Sequence, residues 1–295
     1  MKGFELYEPK PHCSVSSLCC MYRCPRYYFY RCGCRLGLEG EHPALKFGEA
    51  IHAAIPYAFI GDIEKAMSLF STVWGTTPED RKRNPIRAEA MLKDFARAHQ
   101  SGNSIYTPLP APPNRATTER ALSEYEVPFV VDVGIPVPFV GRIDCRGKHR
   151  DTGKTWGVEY KTTSELGQCF INSFALSPQV LCYALALKVL VDEDLEGYFI
   201  EGLLVAEKSC NTLAIPITIR PHFIKAALCW IGNTYSKIQA CEENQDFPPD
   251  YAGCNPYHAF GRAGYSCMYE PLCSVEDWTS LKDMYIQFPE YVFSM

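Results

Sequence analysis

The chain has 295 residues, with 47% hydrophobic and 21% charged side chains and a formal net charge of −5. That composition excludes a disordered chain and a generally basic, nucleic-acid-coating protein. It leaves room for one large α/β domain or two small ones. Residues 1–14 carry Lys2, Glu5, Glu8 and Lys10 with no apolar run, so no secretory leader is expected. The longest uncharged stretch, 166–187, contains Gln168, Asn172, Ser173, Pro178 and Gln179 and is too polar to span a membrane. Fifteen cysteines stand out. An odd number without a leader argues against a disulfide scaffold and for reduced core thiols plus a metal or iron–sulfur site. A reducing compartment follows, the cytoplasm of a bacterial or phage-infected cell being the first choice.

In chain order, residues 14–35 read as a helix capped by Ser14 or Ser16, with Pro25 as a kink or second start. Helices are expected over 43–60, 62–73 and 85–100. Proline content makes 107–114 a loop. From 117 the texture becomes β, with strands over 123–131, 135–145 and 155–163 joined at Gly134 and at the turn 151–154. A helix over 177–191, strands over 197–206 and 212–219, and a long helix over 221–241 follow. The tail from 246 reads as loop. Cys169, Cys182, Cys210, Cys229 and Cys241 fall in apolar periodic segments and read as small hydrophobes.

This order gives a mixed α/β or α+β fold, taken as a single domain over 1–295. Its parts are a helical section (1–116), a core (117–241) and a Cys-rich tail (242–295) that packs back on the N-terminal section. Residues 81–100 carry six basic and two acidic groups, and 142–161 six and three. These regions offer a phosphate-binding face, although ordinary solvated charge explains them as well.

The densest chemistry lies in 141–163. Asp144 closes one apolar strand, and Glu159 and Lys161 sit on the next, on one face because side chains alternate. Two carboxylates can hold Mg²⁺ or Mn²⁺, and a lysine beside them can orient or activate a metal-bound water. By spacing alone such a triplet is commonly just solvated strand charge.

The strand ending G-R-I-D and the strand V-E-Y-K-T resemble the core motif of the PD-(D/E)XK nuclease superfamily, in its RecB-like branch. Upstream, F-G-E-A-I-H (47–52) is similar to that branch's G-x-x-x-H helix. Downstream, Q-V-L-C-Y (179–183) is similar to its Q-x-x-x-Y helix, and S-V-S-S-L with C-P-R-Y-Y-F-Y resembles its opening helix. The resemblance implies a restriction-endonuclease-like core, a central mixed sheet flanked by helices. It implies DNA as substrate and Mg²⁺ or Mn²⁺ held by His52, Asp144, Glu159 and the main-chain carbonyl of Tyr160. Lys161 would place or deprotonate the water, and Gln179 would hold Lys161 or that water. Tyr183, with Arg142 and Arg146, would steer the strand. Tyr27, Tyr28, Phe29 and Tyr30 could stack bases, with core packing the plainer role.

A subset of RecB-like nucleases, including AddB and the CRISPR-adaptation exonucleases, carries a [4Fe-4S] cluster. The resemblance assigns its ligands to Cys24, Cys254, Cys267 and Cys273, the last three spaced C-x12-C-x5-C where the family often has C-x2-C. Cys19, Cys20, Cys32 and Cys34 are rivals for the N-terminal position. Thiolates suit such a cluster, structural Zn²⁺ is the alternative, and a tail of metal-free thiols is the plain one. The function implied is an exonuclease of recombination, repair or phage DNA processing. No G-x-x-x-x-G-K-[ST] occurs, so a helicase or recombinase would be a separate chain. Two other functions fit less of the pattern: a silent nuclease-fold DNA-binding or assembly subunit, and an iron–sulfur sensor.

Overall fold

In the computed structural model of the chain, residues 6–38, 42–100, 104–109, 125–174, 176–191, 195–254 and 267–289 are described. In chain order they form β1 (Cys13–Ser14), α1 (Val15–Arg23), α2 (Pro25–Tyr28), β2 (Leu36–Gly37), α3 (Pro43–Phe59), α4 (Ile63–Trp74), α5 (Pro85–Gln100) and β3 (Tyr106–Pro108). Then come β4 (Tyr125–Val131), β5 (Phe139–His149), β6 (Thr155–Thr163), α6 (Gln168–Asn172), α7 (Pro178–Val191), β7 (Leu195–Leu204), β8 (Thr212–Thr218) and α8 (Pro221–Glu243). The chain closes with α9 (Tyr251–Cys254), α10 (Glu270–Cys273) and β9 (Ile286–Gln287).

Contacts divide the chain into two units. One comprises Met1–Gly40, Val130–Gly141 and Ala226–Met295, the other Glu41–Phe129 and Arg142–Lys225.

In the second unit β5 and β6 form an antiparallel hairpin, with Cys145 opposite Val158 and Lys148 opposite Thr155. β6 runs parallel to β7. That pairing requires a crossover, which α6 and α7 supply. β8 returns antiparallel to β7, while β3 and β4 also pair with β5. The mixed sheet has helices on both faces. Phe47, Ala50, Ile51, Ala54, Ile55 and Ala58 recur at helical spacing on α3 and are all fully buried. With Phe70 and Trp74 of α4 and Leu92 and Phe95 of α5 they cover the sheet face carrying Cys145, Val158, Tyr160 and Phe199. Each buried Phe, Ile or Leu among them contributes roughly 1.5–3 kcal/mol of apolar burial. The opposite face of β6 meets α7.

In the first unit, Ser14 caps α1 through a reciprocal Ser14–Ser17 capping box. The second start expected at Pro25 is observed: α1 stops before Cys24 and α2 begins at Pro25, which brings no N–H to continue the ladder of α1. A π-helical turn over Phe29–Gly33 ends the segment. Tyr28, Phe29 and Tyr30 are buried, Tyr28 stacked on Phe247 and the other two edge-on to Trp278, which settles them as core rather than base-stacking residues. Tyr27 packs against Tyr269 under the Arg23 guanidinium. The tail, expected as loop, contains α9, α10, a 3₁₀ turn at Trp278–Met284 and the β2–β9 pair. Its hydrophobic anchors come from residues far away in sequence, so no local period announced them.

Two further expectations change. β3 forms inside the proline-rich loop, pairing Thr107 with Lys148, while 110–114 lie outside the described residues. The start of the first expected strand (123–124) and tail residues 255–266 also lie outside them. Cys169 and Cys229 are exposed rather than buried hydrophobes, because each sits on the solvent side of its helix. Among the described residues no helix is long and apolar enough to cross a membrane.

Candidate active site

The β5–β6 hairpin sets the geometry. The register Cys145↔Val158 brings Asp144 beside the β6 residues that follow, and the Tyr160 N–H donates to Asp144 Oδ2 at 2.8 Å. Glu159 and Lys161 share the other face, as alternation requires, and Lys161 Nζ donates to Glu159 Oε1 at 2.5 Å. Gln179, in the first turn of α7, bridges both: its Oε1 accepts from Lys161 at 3.1 Å and its Nε2 donates to Glu159 Oε1 at 2.8 Å. Tyr183, one turn on, hydrogen-bonds Gln179 and packs edge-on against Phe129.

α3 delivers His52 from another side. Gly48, one turn earlier, permits the approach: a Cβ there would sit 3.1 Å from Thr162 Oγ1 of β6. Pro56, one turn later, has no N–H to give the carbonyl of His52. His52 Nδ1 lies 3.6 Å from Asp144 Oδ2 and 4.0 Å from Glu126 Oε1. Its ring also meets the Tyr160 ring edge-on, with centroids 6.2 Å apart.

Glu126 was not among the expected site residues. It sits on β4 at φ 50°, a left-handed backbone for a non-glycine residue, which costs about 1–3 kcal/mol. Its carboxylate lies beside His52 and Asp144 and 3.7 Å from Arg142 Nη1. One ligand atom from each of His52, Glu126 and Asp144 lies within 4.8 Å of the other two, the spacing a divalent ion needs. A lone acid in the apolar run Tyr125–Val131 was the available sequence signal.

The electrostatics are those of anions gathered out of water. Burial pushes Asp144 up to about 7, and the Glu126 charge adds to it. Burial likewise pushes Glu159 up to about 7, with Asp144 as the next cause. Burial also raises Glu126 and lowers His52. For Lys161 burial acts downward, but Glu159 and Asp144 outweigh it and hold the ammonium above its usual range. Glu159 is 2% exposed, yet its Oε2 has no hydrogen-bond partner. A buried anionic oxygen left unpaired in this way is expensive unless a cation completes it. The donor set, carboxylate oxygens with one imidazole, suits Mg²⁺ or Mn²⁺.

The sequence of the PD-(D/E)XK nuclease superfamily matches residues 12–206 of this chain. The chain belongs to that superfamily. All the elements described at this site fall inside the matched segment. As a superfamily nuclease it shares its fold with a candidate exonuclease from Eubacterium rectale, whose crystal structure superposes with a TM-score of 0.52 at 14% identity, over 81% of this chain and 84% of that one. The structure of SSO0001 is 13% identical and reaches a TM-score of 0.33 over 78% of each chain. No curated protein matches the chain.

Of the other expected residues, Arg142 is exposed beside Glu126. Arg146 is 6% exposed within the sheet and offers no guanidinium surface to a nucleic acid, a correction to the expected strand-steering role. Its strand position alternates inward, which a charge count along the sequence does not register. In the first unit, Cys273 lies within electrostatic reach of Cys24, Cys254 and Cys267. The Asp250 N–H donates to Cys24 Sγ at 3.2 Å. Burial raises Cys254, and pushes Cys273 up to about 11.

Proposed function

We propose that this superfamily nuclease is a divalent-metal-dependent deoxyribonuclease, an exonuclease of the RecB-like branch. The observation that carries the reading is the partnerless buried oxygen of Glu159, set among Asp144, Glu126, His52 and Lys161. His52, Asp144, Glu159, Glu126 and the Tyr160 carbonyl would hold Mg²⁺ or Mn²⁺. The ion would polarise the scissile phosphate and acidify a bound water. Lys161, kept protonated between Glu159 and Gln179, orients the attacking water and offsets charge on the phosphate. Gln179 fixes Lys161 and Glu159 relative to each other. Tyr183 and the exposed Arg142 take the DNA backbone. Any helicase or recombinase would be another chain.

A [4Fe-4S] cluster on Cys24, Cys254, Cys267 and Cys273 belongs to the same reading. Its support is the mutual approach of these four thiols and the N–H donated to Cys24, since hydrogen bonds to sulfur tune such clusters. Structural Zn²⁺ on the same thiols is the alternative.

The test is Mg²⁺- or Mn²⁺-dependent digestion of end-labelled linear DNA beside closed circular DNA, with protein purified without oxygen and Lys161→Ala as control. Digestion of linear DNA alone, lost in the variant, is the expected result. Cutting of the closed circle would make the protein an endonuclease. Folded, brown protein that cuts neither would leave a DNA-binding or assembly subunit.

A further inference from the structure

Behind the site, on the other face of the sheet, lies a continuous buried hydrogen-bonded chain. His99 Nδ1 meets Ser104 Oγ at 2.9 Å, and His99 Nε2 meets Glu201 Oε1 at 2.7 Å. Tyr106 Oη donates to Glu201 Oε2 at 2.7 Å and lies 3.0 Å from Tyr160 Oη. Ser104 Oγ donates to the Tyr106 carbonyl at 2.6 Å. Counting hydrogens orients the rest. Ser104 has given its hydrogen away, so His99 Nδ1–H donates to it. Tyr106 has given its hydrogen to Glu201, so Tyr160 donates to Tyr106. All five residues are at most 8% exposed. A buried acid and imidazole are costly to keep in an apolar core, and the His99 ring packs against Phe59 and Phe95 while Tyr106 stacks on Phe199.

Tyr160 is where this chain meets the site. Its main-chain N–H is given to Asp144 Oδ2, its ring meets the His52 ring edge-on, and its neighbours Glu159 and Lys161 project to the opposite face. Tyr160 is also directly opposite Glu201 in the β6–β7 register. One residue is therefore held at its phenol by Tyr106 and touches two site residues, Asp144 through its backbone and His52 through its ring.

We infer that Tyr106, Glu201 and His99 are positioning residues, clamping the Tyr160 phenol so that Tyr160 keeps Asp144, His52 and the Glu159–Lys161 pair in register. This rests on the metal-site reading above. Buried polar chains that are fully paired rigidify what they touch, and groups that orient metal ligands typically affect metal affinity by about 10–100-fold.

The experiment is Mn²⁺ titration of the full chain as wild type, Tyr160→Phe, Tyr106→Phe and the double variant, with hydrogen exchange of the β6 amides measured without metal. Tyr160→Phe removes one oxygen from a buried aromatic ring and leaves the packing. It should weaken Mn²⁺ binding about tenfold and speed exchange of the Tyr160 amide. The double variant should lose no more than either single one, because the two phenols act through one contact. Mn²⁺ affinity and Tyr160 exchange both within about twofold of wild type, with only the melting temperature lowered, would overturn the clamp. A wild type that binds Mn²⁺ but cuts no DNA sinks the nuclease reading and leaves this test standing. Should the wild type bind no Mn²⁺, exchange of the Tyr160 amide alone decides.

Discussion

The carboxylate site and the cysteine region are assembled from the chain in opposite ways. Asp144, Glu159, Lys161 and Gln179 fall within one stretch, 144–179; antiparallel pairing and side-chain alternation bring the first three together, and the first turn of α7 adds Gln179. Cys24 and the three tail cysteines are more than 200 residues apart, and their unit is built from both ends of the chain. The ligand chemistry differs too: hard oxygens with one imidazole against thiols. Sites held by local pairing can be read as motifs, whereas sites held by distant packing show only as a surplus of one residue type.

If the two regions carry separate tasks, each can be broken alone. Glu159→Gln should lower Mn²⁺-dependent DNA cleavage by about 10³-fold, since the ion contributes several kcal/mol of charge stabilisation. Its visible absorbance and iron content should stay at the wild-type level, and their loss would show that the two regions are not separable. Cys273→Ser should do the reverse to iron. As a cross-link closing so long a loop, the clip would contribute on the order of 4 kcal/mol. Iron analysis and a thermal melt of anaerobically prepared protein check this, and full iron retention would remove Cys273 from the ligand set.

The pH dependence sharpens the contrast. Asp144 and Glu159 are held up to about 7, so both must lose protons before a cation binds. With two protons to lose, Mn²⁺ affinity should rise by roughly 30-fold from pH 6 to 7 and level off above about 8. The metal-free protein should behave oppositely. A folded-state value above the ordinary carboxyl value means a stability contribution that is complete below about pH 4 and lost as pH rises through about 7. Thermal melts of metal-free protein at pH 5.5 and 8 test this, and Glu159→Gln should flatten the difference. The smallest expected effect is that of Gly48→Ala. Its new Cβ presses on Thr162 Oγ1 from 3.1 Å and should cost about 1 kcal/mol, with a modest loss of Mn²⁺ affinity.

Tyr160 shows how one strand carries both kinds of information. Its backbone role follows from the V-E-Y-K-T pattern. The buried chain behind its phenol runs through Tyr106 of β3, Glu201 of β7 and His99 of α5, at separations of 41 to 61 residues, counted from Tyr160 to Glu201 and to His99. No spacing rule connects those residues. Glu126 is intermediate: an acid in an apolar strand is visible in the sequence, but only the turn of its backbone to φ 50° aims it at His52.

By itself the sequence determined the element order, the strand pair bearing Asp144, Glu159 and Lys161, and the helices bearing His52 and Gln179. These depend on local periodicity, proline placement and alternation, which act over a few residues. Tertiary structure alone decided that Glu126 joins the site, that Arg146 is buried, that the first helical segment ends in a π-turn at Phe29–Gly33, and that a buried chain reaches Tyr160 from behind. Each of those outcomes depends on which distant side chains compete for the same buried space, and that competition leaves no period in the sequence.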